Sequence, residues 1–248
     1  MGGGQSLLAA AADAAKNNCV ELDWSNRRTD DNPKLVTIVP PSFVSHLLGS
    51  TLTDLRLSGN GIAQLPASFG RLVALEYDSI IELTSLQRLW LHHNRLETLP
   101  PALGDLQALE RVFVQHNVLS ALPFSIVLLT ELDASDNKIC MLPEEWQTAP
   151  AVTTLRLTRN LLKQLPIGLG ALQQLHTLSL QSNRLLELPA ICASLVNLRN
   201  LNLQSLPRSI TTLPNLHTLS VDRKTFALLD PAVLTFCTAL PTFDILGL

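Results

Sequence analysis

The chain is poor in the residues on which most enzymes and small secreted domains depend. Aromatic residues fill only 4% of its 248 positions, with a single tyrosine, and charged residues fill 16%. The four cysteines, Cys19, Cys140, Cys192 and Cys237, lack both the paired spacing of a zinc site and the terminal pairs of a disulfide cap. No Asn-x-Ser/Thr acceptor occurs despite many asparagines. Both absences suit a reducing compartment, so a cytoplasmic protein is expected. No apolar run approaches the roughly 18 residues that suggest a membrane span. A net charge of −3 and a pI of about 6.0 exclude the basic stripe of a general nucleic-acid binder, and no nucleic-acid partner is expected. Phosphate loop, H-E-x-x-H zinc helix and nucleophile elbow are all missing. The expectation is therefore a protein that is not an enzyme and needs no cofactor.

What the chain has in plenty is hydrophobic residues, 46% of the total, and they are ordered. The stretches 86–100, "LQRLWLHHNRLETLP", and 152–166, "VTTLRLTRNLLKQLP", share the frame L-x-x-L-x-L-x-x-N-x-L-x-x-L-P. Six frame asparagines, Asn60, Asn94, Asn117, Asn137, Asn160 and Asn183, follow at spacings of 34, 23, 20, 23 and 23 residues. A 23-residue period with this leucine pattern is the signature of a leucine-rich repeat, one short strand and one convex return segment per turn. Alternating leucines point inward with period two, and the residues between them face the other side of the sheet. Asparagine has donors and an acceptor to satisfy the backbone where the chain leaves the strand. The proline stops strand pairing and begins the return. A single turn cannot bury its own leucines, whereas stacked turns bury one another.

The expected fold is thus an α/β solenoid, a horseshoe with a concave parallel sheet and an irregular or 3-10 convex side. Residues 1–19 are read as a tail and a capping helix, and 20–248 as the repeat domain with an irregular C-terminal cap. The alanine-rich start "LLAAAADAAK" suits such a cap, since an open solenoid end would expose leucines. Ahead of it, "MGGGQS" fits the acylation pattern M-G-x-x-x-[ST], which makes Gly2 the candidate myristoylation site. One myristoyl chain gives only weak, reversible membrane binding. The chain is expected to act as a monomer.

Several turns are irregular. The 34 residues from Asn60 to Asn94 are 12 fewer than two repeats, and "LVALEYDSIIELTSL" reads as a strand start at Leu75 and Tyr77 joined to the tail of the next turn. The interval 117–137 is three residues short. In "LRNLNLQSLPRSI" the asparagine segment is absent, and "RRTDDNPKLVTIVPP" adds a charged loop to the first turn. A gap on the strand side would leave backbone groups unpaired.

The frame also fixes which residues meet solvent on the sheet. Third positions run Glu21, Asp54, Arg88, Arg111, Glu131, Thr154, Thr177, Asn200, and fifth positions run Asp23, Arg56, Trp90, Phe113, Asp133, Arg156, Ser179, Asn202. Neighbouring strands lie about 4.8 Å apart, which sets Trp90 beside Phe113. Aromatic and arginine side chains dominate binding hot spots. The candidate partner-binding set is therefore Arg88, Trp90, His92, Arg111, Phe113, Gln115, Glu131, Asp133 and Arg156, and the partner a protein. The plainer reading is that the two rings merely cover each other and stiffen the sheet. His93, His116 and Asp136 share the eighth position of three turns, with His92 adjacent. Two histidines and a carboxylate can hold zinc, but strand spacing sets them wider than one ion needs, and no acid is placed to activate water. No metal is assigned, and a metal-dependent enzyme is the weakest reading. Cys140 and Cys192 fall in convex segments and read as core fillers.

The 23-residue L-x-x-L-P form resembles the intracellular Ras-group leucine-rich-repeat proteins, which include Ras-suppressor, Scribble-type and plant intracellular members. The likeness covers about residues 20–221, and the opening "AADAAKNNCVELDWSNR" is similar to the start of the short animal members. The resemblance implies a non-enzymatic scaffold in signalling, or a regulatory subunit of a phosphatase or small-GTPase pathway. The contracted turns and the ending "LSVDRKTFALLDPAVLTFCTALPTFDILGL" depart from the family pattern.

Overall fold

Strands of three residues follow directly from the L-x-L core of each frame, and the return segments take 3-10 turns where proline has ended pairing. A computed structural model describes residues 7–25, 36–40, 42–43, 47, 51–69, 85–144, 146, 151–185, 192, 194–203, 210–211, 213–222 and 229–246. The chain forms two compact units, Met1–Leu119 and Ser120–Leu248. Gly2, Leu75, Tyr77 and Leu206 lie outside the described residues.

The first unit opens with helix α1, Leu7–Lys16. Alanine has the highest helix propensity, and Lys16 complements the dipole at the C-terminal end. Asn18 then turns left-handed at φ 50°, while the Asn18 and Cys19 amides bond back to the carbonyls of Ala15 and Ala14 at 3.3 and 2.9 Å. This is a Schellman stop, with asparagine where glycine is commoner. The face of Leu7, Ala10, Ala11 and Ala14 is buried, and α1 packs against β1. Strands β1 Glu21–Asp23, β2 Asp54–Arg56, β3 Arg88–Trp90 and β4 Arg111–Phe113 follow, each parallel to the last. Leu22, Leu55, Leu89 and Val112 are register partners on the buried side.

The second unit repeats the scheme with β5 Glu131–Asp133, β6 Thr154–Arg156, β7 Thr177–Ser179, β8 Asn200–Leu203 and β9 Thr218–Asp222. These too are parallel and in register. The ending departs from the leucine frame yet still builds a turn. Helix α2, Pro231–Ala239, begins at Asp230, whose carboxylate caps the Ala232 amide at 2.9 Å, with proline in the first turn. Strand β10, Thr242–Leu246, then pairs parallel with β9.

Frame asparagines stitch successive turns together. The Asn94 amide donates to the carbonyls of Leu57 and Leu91 at 2.9 and 3.0 Å, and its oxygen accepts from the Ile62 N–H at 3.1 Å. Asn60 and Asn117 repeat this in the first unit, Asn160 and Asn183 in the second. Each bond set joins one turn to its predecessor, so the asparagine does more than close its own loop.

Strand register accounts for two of the irregular intervals. Leu55 pairs directly with Leu89, and Asn94 bonds to the turn of β2, so 55 and 89 belong to adjacent turns. In the sheet the 34-residue interval therefore counts as one turn, 11 residues longer than the period. The shortened interval 117–137 loses nothing from its strand. After the 3-10 helix Pro101–Asp105 come Leu106, a turn and Leu109; after Phe124–Leu128 the chain passes through Leu129 and Thr130 straight into β5. The missing three residues are that turn, and the register of β5 on β6 is intact.

Candidate functional site

With the leucines of the L-x-L core buried, the opposite sheet face carries the candidate binding side chains. In the first unit it gathers Arg88, Trp90, His92, Arg111, Phe113 and Gln115. Trp90 and Phe113 are register partners and stack, with ring centroids 4.0 Å apart and planes at 16°. From the β2 side the Arg56 guanidinium approaches the Trp90 ring, 5.6 Å from its centroid. His92 meets Trp90 edge-on at 6.3 Å. Trp90 and Phe113 are each half-buried. The side-by-side placement expected from strand spacing is present, and both faces of the indole are occupied.

The arginines are held in place by acids on the same face. Arg56 Nη1 lies 2.8 Å from Glu21 Oε1, a pair of partly exposed side chains. Arg88 forms an ion pair with Asp54, Nε lying 2.7 Å from Oδ1, and its Nη2 donates a hydrogen bond to Oδ2 at 2.8 Å. Asp54 is 4% exposed and also accepts from the Thr53 hydroxyl at 2.9 Å. A hydrogen bond between charged partners is shorter and stronger than a neutral one, which holds the guanidinium in place. Asp54, Arg56 and Glu21 were not among the sequence candidates. The frame rows already set Arg56 next to Trp90 and Asp54 next to Arg88, and the signal that could have found them is the pairing of opposite charges along the rows.

In the second unit, Glu131 takes Arg156 at 2.6 Å, and Asp133 turns back to accept from the Ser135 amide at 3.0 Å. The remaining face of β6 and β7 is threonine and serine: Thr154, Thr177 and the buried Ser179.

Eighth-position residues leave the strand in the left-handed region: Gly59, His93 and His116 in the first unit, Asp136, Arg159 and Ser182 in the second. His93 and His116 are exposed and their rings stack at 4.2 Å, with His92 edge-on to His93 at 5.3 Å. Asp136 lies 3.4 Å from Arg159. Among the described residues no group of three or more His, Cys, Asp or Glu side chains is arranged to hold a metal ion, and no helix is long and apolar enough to cross a membrane.

The cysteines divide. Cys192 is buried in a convex segment, and that burial pushes its thiol pKa up to about 11. Cys237, inside α2, is buried too and shifted upward for the same reason. Cys140 is exposed, contrary to its reading as a core filler, with its sulfur 3.9 Å from the Ser120 carbonyl. Its neighbour Ile139 takes the core position instead. A further indole, Trp146, is 1% exposed, and its Nε1 finds no acceptor among the described residues.

Residues 85–106 match the Leucine Rich Repeat family. Among curated proteins, none matches the chain significantly. An internalin, InlF from Listeria monocytogenes, is 17% identical with a TM-score of 0.67, over 91% of this chain and 60% of the internalin. The Toll–Spatzle complex of Drosophila is 28% identical with a TM-score of 0.58, over 69% of this chain and 24% of that one. The Leptospira interrogans protein LIC12759 is 23% identical over 85% of this chain and 64% of its own, with a TM-score of 0.47. The chain thus spans less than two thirds of the length of each. Repeat frame, strand-per-turn sheets and the likeness to the internalin together establish a leucine-rich-repeat fold.

Proposed function

We propose that the chain is a protein-interaction scaffold in cytoplasmic signalling, and that its partner docks on the sheet face centred on Trp90 and Phe113. The carrying observation is the Arg56–Trp90–Phe113 column, a rare concentration of aromatic surface in a chain with 4% aromatics. Ion pairs with Glu21 and Asp54 hold its arginines before any partner arrives, which lowers the ordering cost of binding. Leucine-rich-repeat folds are generally binding modules rather than enzymes, and the Toll–Spatzle complex is one such assembly. Four unpaired cysteines support a reducing location. Gly2 remains the proposed acylation site for a weak membrane-bound fraction. Affinity capture from the source cell, followed by measured binding of the captured protein, tests the docking face. Trp90→Ala or Arg111→Ala should each weaken binding by more than about 1 kcal/mol, whereas Thr154→Ala with Thr177→Ala should leave it nearly unchanged. Equal losses from both sets would remove this face as the site.

A further inference from the structure

Arg56, Trp90 and Phe113 are register partners on β2, β3 and β4, so the two neighbours flank the indole from opposite sides. The two contacts differ in what holds them. Phe113 lies flat on the ring, with centroids 4.0 Å apart. Arg56 lies over the ring at 5.6 Å and is anchored by Glu21, 2.8 Å away. The side chains of that ion pair are 37% and 48% exposed, whereas the Asp54 side chain that holds Arg88 is 6% exposed. Exposed pairs contribute little and are screened by salt, and a cation over a ring at an exposed site adds only modestly. Two terms oppose them. One is the rotamer freedom lost by a fixed arginine. The other is the Arg56 Nε–H, which is buried and finds no acceptor among the described residues. Arg56 is therefore weakly held over the indole, while Arg88 beside it is fixed.

We infer that Arg56 is a removable cover on Trp90, latched by Glu21. Closed, it leaves the indole no open face. When the ion pair parts, Arg56 swings into solvent, its Nε–H meets water, and the indole opens on the β2 side. The inference rests on the reading of this face as a docking site and adds how its aromatic surface is regulated. A partner meets a covered ring or an open one according to the state of the Glu21–Arg56 pair. Two further acids lie near Arg56. Asp23, its register partner on β1, accepts from the Ser25 amide at 2.9 Å. Asp54, on the same strand as Arg56, is engaged by Arg88. Glu21 is thus the latch, and Asp23 is the acid placed to replace it.

The full chain is labelled with 5-fluorotryptophan, and Trp90→Phe assigns its fluorine resonance among the three tryptophans. The displacement of that resonance between light and heavy water reads the solvent exposure of the ring. Breaking an exposed ion pair should raise the ratio of open to covered indole by about two- to fivefold. The isotope displacement at Trp90 should therefore rise in Glu21→Gln, rise further when Asp23→Asn is added, and reach its ceiling in Arg56→Ala. High salt should raise it in the wild-type chain and leave Arg56→Ala unmoved. Trp24 and Trp146, both buried, should keep theirs throughout and so report an intact fold. The salt titration needs no variant. A Trp90 resonance that ignores both salt and the acid variants removes the latch, and one that ignores Arg56→Ala removes the cover. No partner enters the measurement, so either failure leaves the docking face standing. Partner binding that ignores Trp90→Ala would remove the docking face without touching the latch.

Discussion

The indole of Trp90 lies flat on the ring of Phe113, 4.0 Å between centroids, although the two residues belong to different turns. The parallel register that makes them Cα partners sets this distance, since successive turns bring the same frame position side by side. Such pairs contribute about 0.5–1.5 kcal/mol beyond their burial. Urea unfolding of Trp90→Ala, Phe113→Ala and the double variant should therefore show a coupling of that size. Strict additivity would mean that the stack contributes nothing to stability.

The asparagine ladder leads to a larger expected loss. In Asn94→Ala the Leu57 and Leu91 carbonyls keep other donors, Asn60 and Asn117, but the buried Ile62 N–H loses its acceptor. An orphaned buried donor together with the lost bonds costs roughly 2–4 kcal/mol. Asn94→Asp keeps an acceptor for Ile62 but turns a carboxylate oxygen toward two carbonyl oxygens, so at neutral pH it should be no more stable than the alanine variant. Denaturant midpoints decide the order; an aspartate variant near wild type would show that the donor half of the ladder is dispensable.

These two features mark how far the chain could be read before its structure. The L-x-L core fixed which side chains point inward, and Leu89, Leu91, Leu155, Leu157, Leu178 and Leu180 are at most 1% exposed. Strand spacing alone was enough to pair Trp90 with Phe113. The 34-residue interval is ambiguous in the sequence because it is 11 more than one turn and 12 fewer than two, and leucines at either end suit both counts. Arg56 and Asp54 were set beside Trp90 and Arg88 by the frame, but the choice of aromatic and arginine hot-spot candidates passed over the acids that hold the arginines. Left-handed backbone at His93 and His116 was equally illegible, since only Gly59 among its equivalents in the first unit advertises it. Cys140 was misplaced because alternation breaks down in the return segment, where one residue decides whether Ile139 or its neighbour turns inward.

The ion pairs of Asp54 with Arg88 and of Glu21 with Arg56 should respond differently to substitution. Asp54 is buried and accepts from Arg88 Nη2 and the Thr53 hydroxyl, so Asp54→Ala should cost about 1.5–3 kcal/mol, the range for hydrogen bonds to a charged group. The Glu21–Arg56 pair is partly exposed on both sides, and Glu21→Gln should cost less than about 1 kcal/mol and lose its effect in high salt. Chemical denaturation in low and high salt separates them. Equal costs would mean that burial of Asp54 confers no advantage.

Trp146 fills a convex core position that Leu103 and Leu169 hold in other turns, and its indole N–H has no partner among the described residues. Trp146→Phe removes a buried orphan donor, worth about 1–3 kcal/mol, while leaving a smaller void. The opposing effects should leave the melting temperature within a few degrees of wild type, whereas Trp146→Ala should lose about 3–5 kcal/mol. A phenylalanine variant as damaged as the alanine variant would mean that the indole N–H is satisfied in solution.

The thiols offer a test that needs no substitution. Cys140 is exposed, while Cys192 and Cys237 are buried with raised pKa values. The thiolate is the reactive form, and a thiol at about 11 is almost wholly protonated at pH 8. Alkylation by iodoacetamide at pH 8, followed by peptide mass mapping, should label Cys140 quickly and leave Cys192 and Cys237 untouched until urea is added. The same burial ties stability to alkaline pH. Because the folded state holds the Cys192 proton more tightly than the unfolded chain, its contribution is complete below pH 9.0 and declines as pH rises towards about 11. Early labelling of Cys192 in the native protein, with Cys140 protected, would invert the arrangement of the two convex segments.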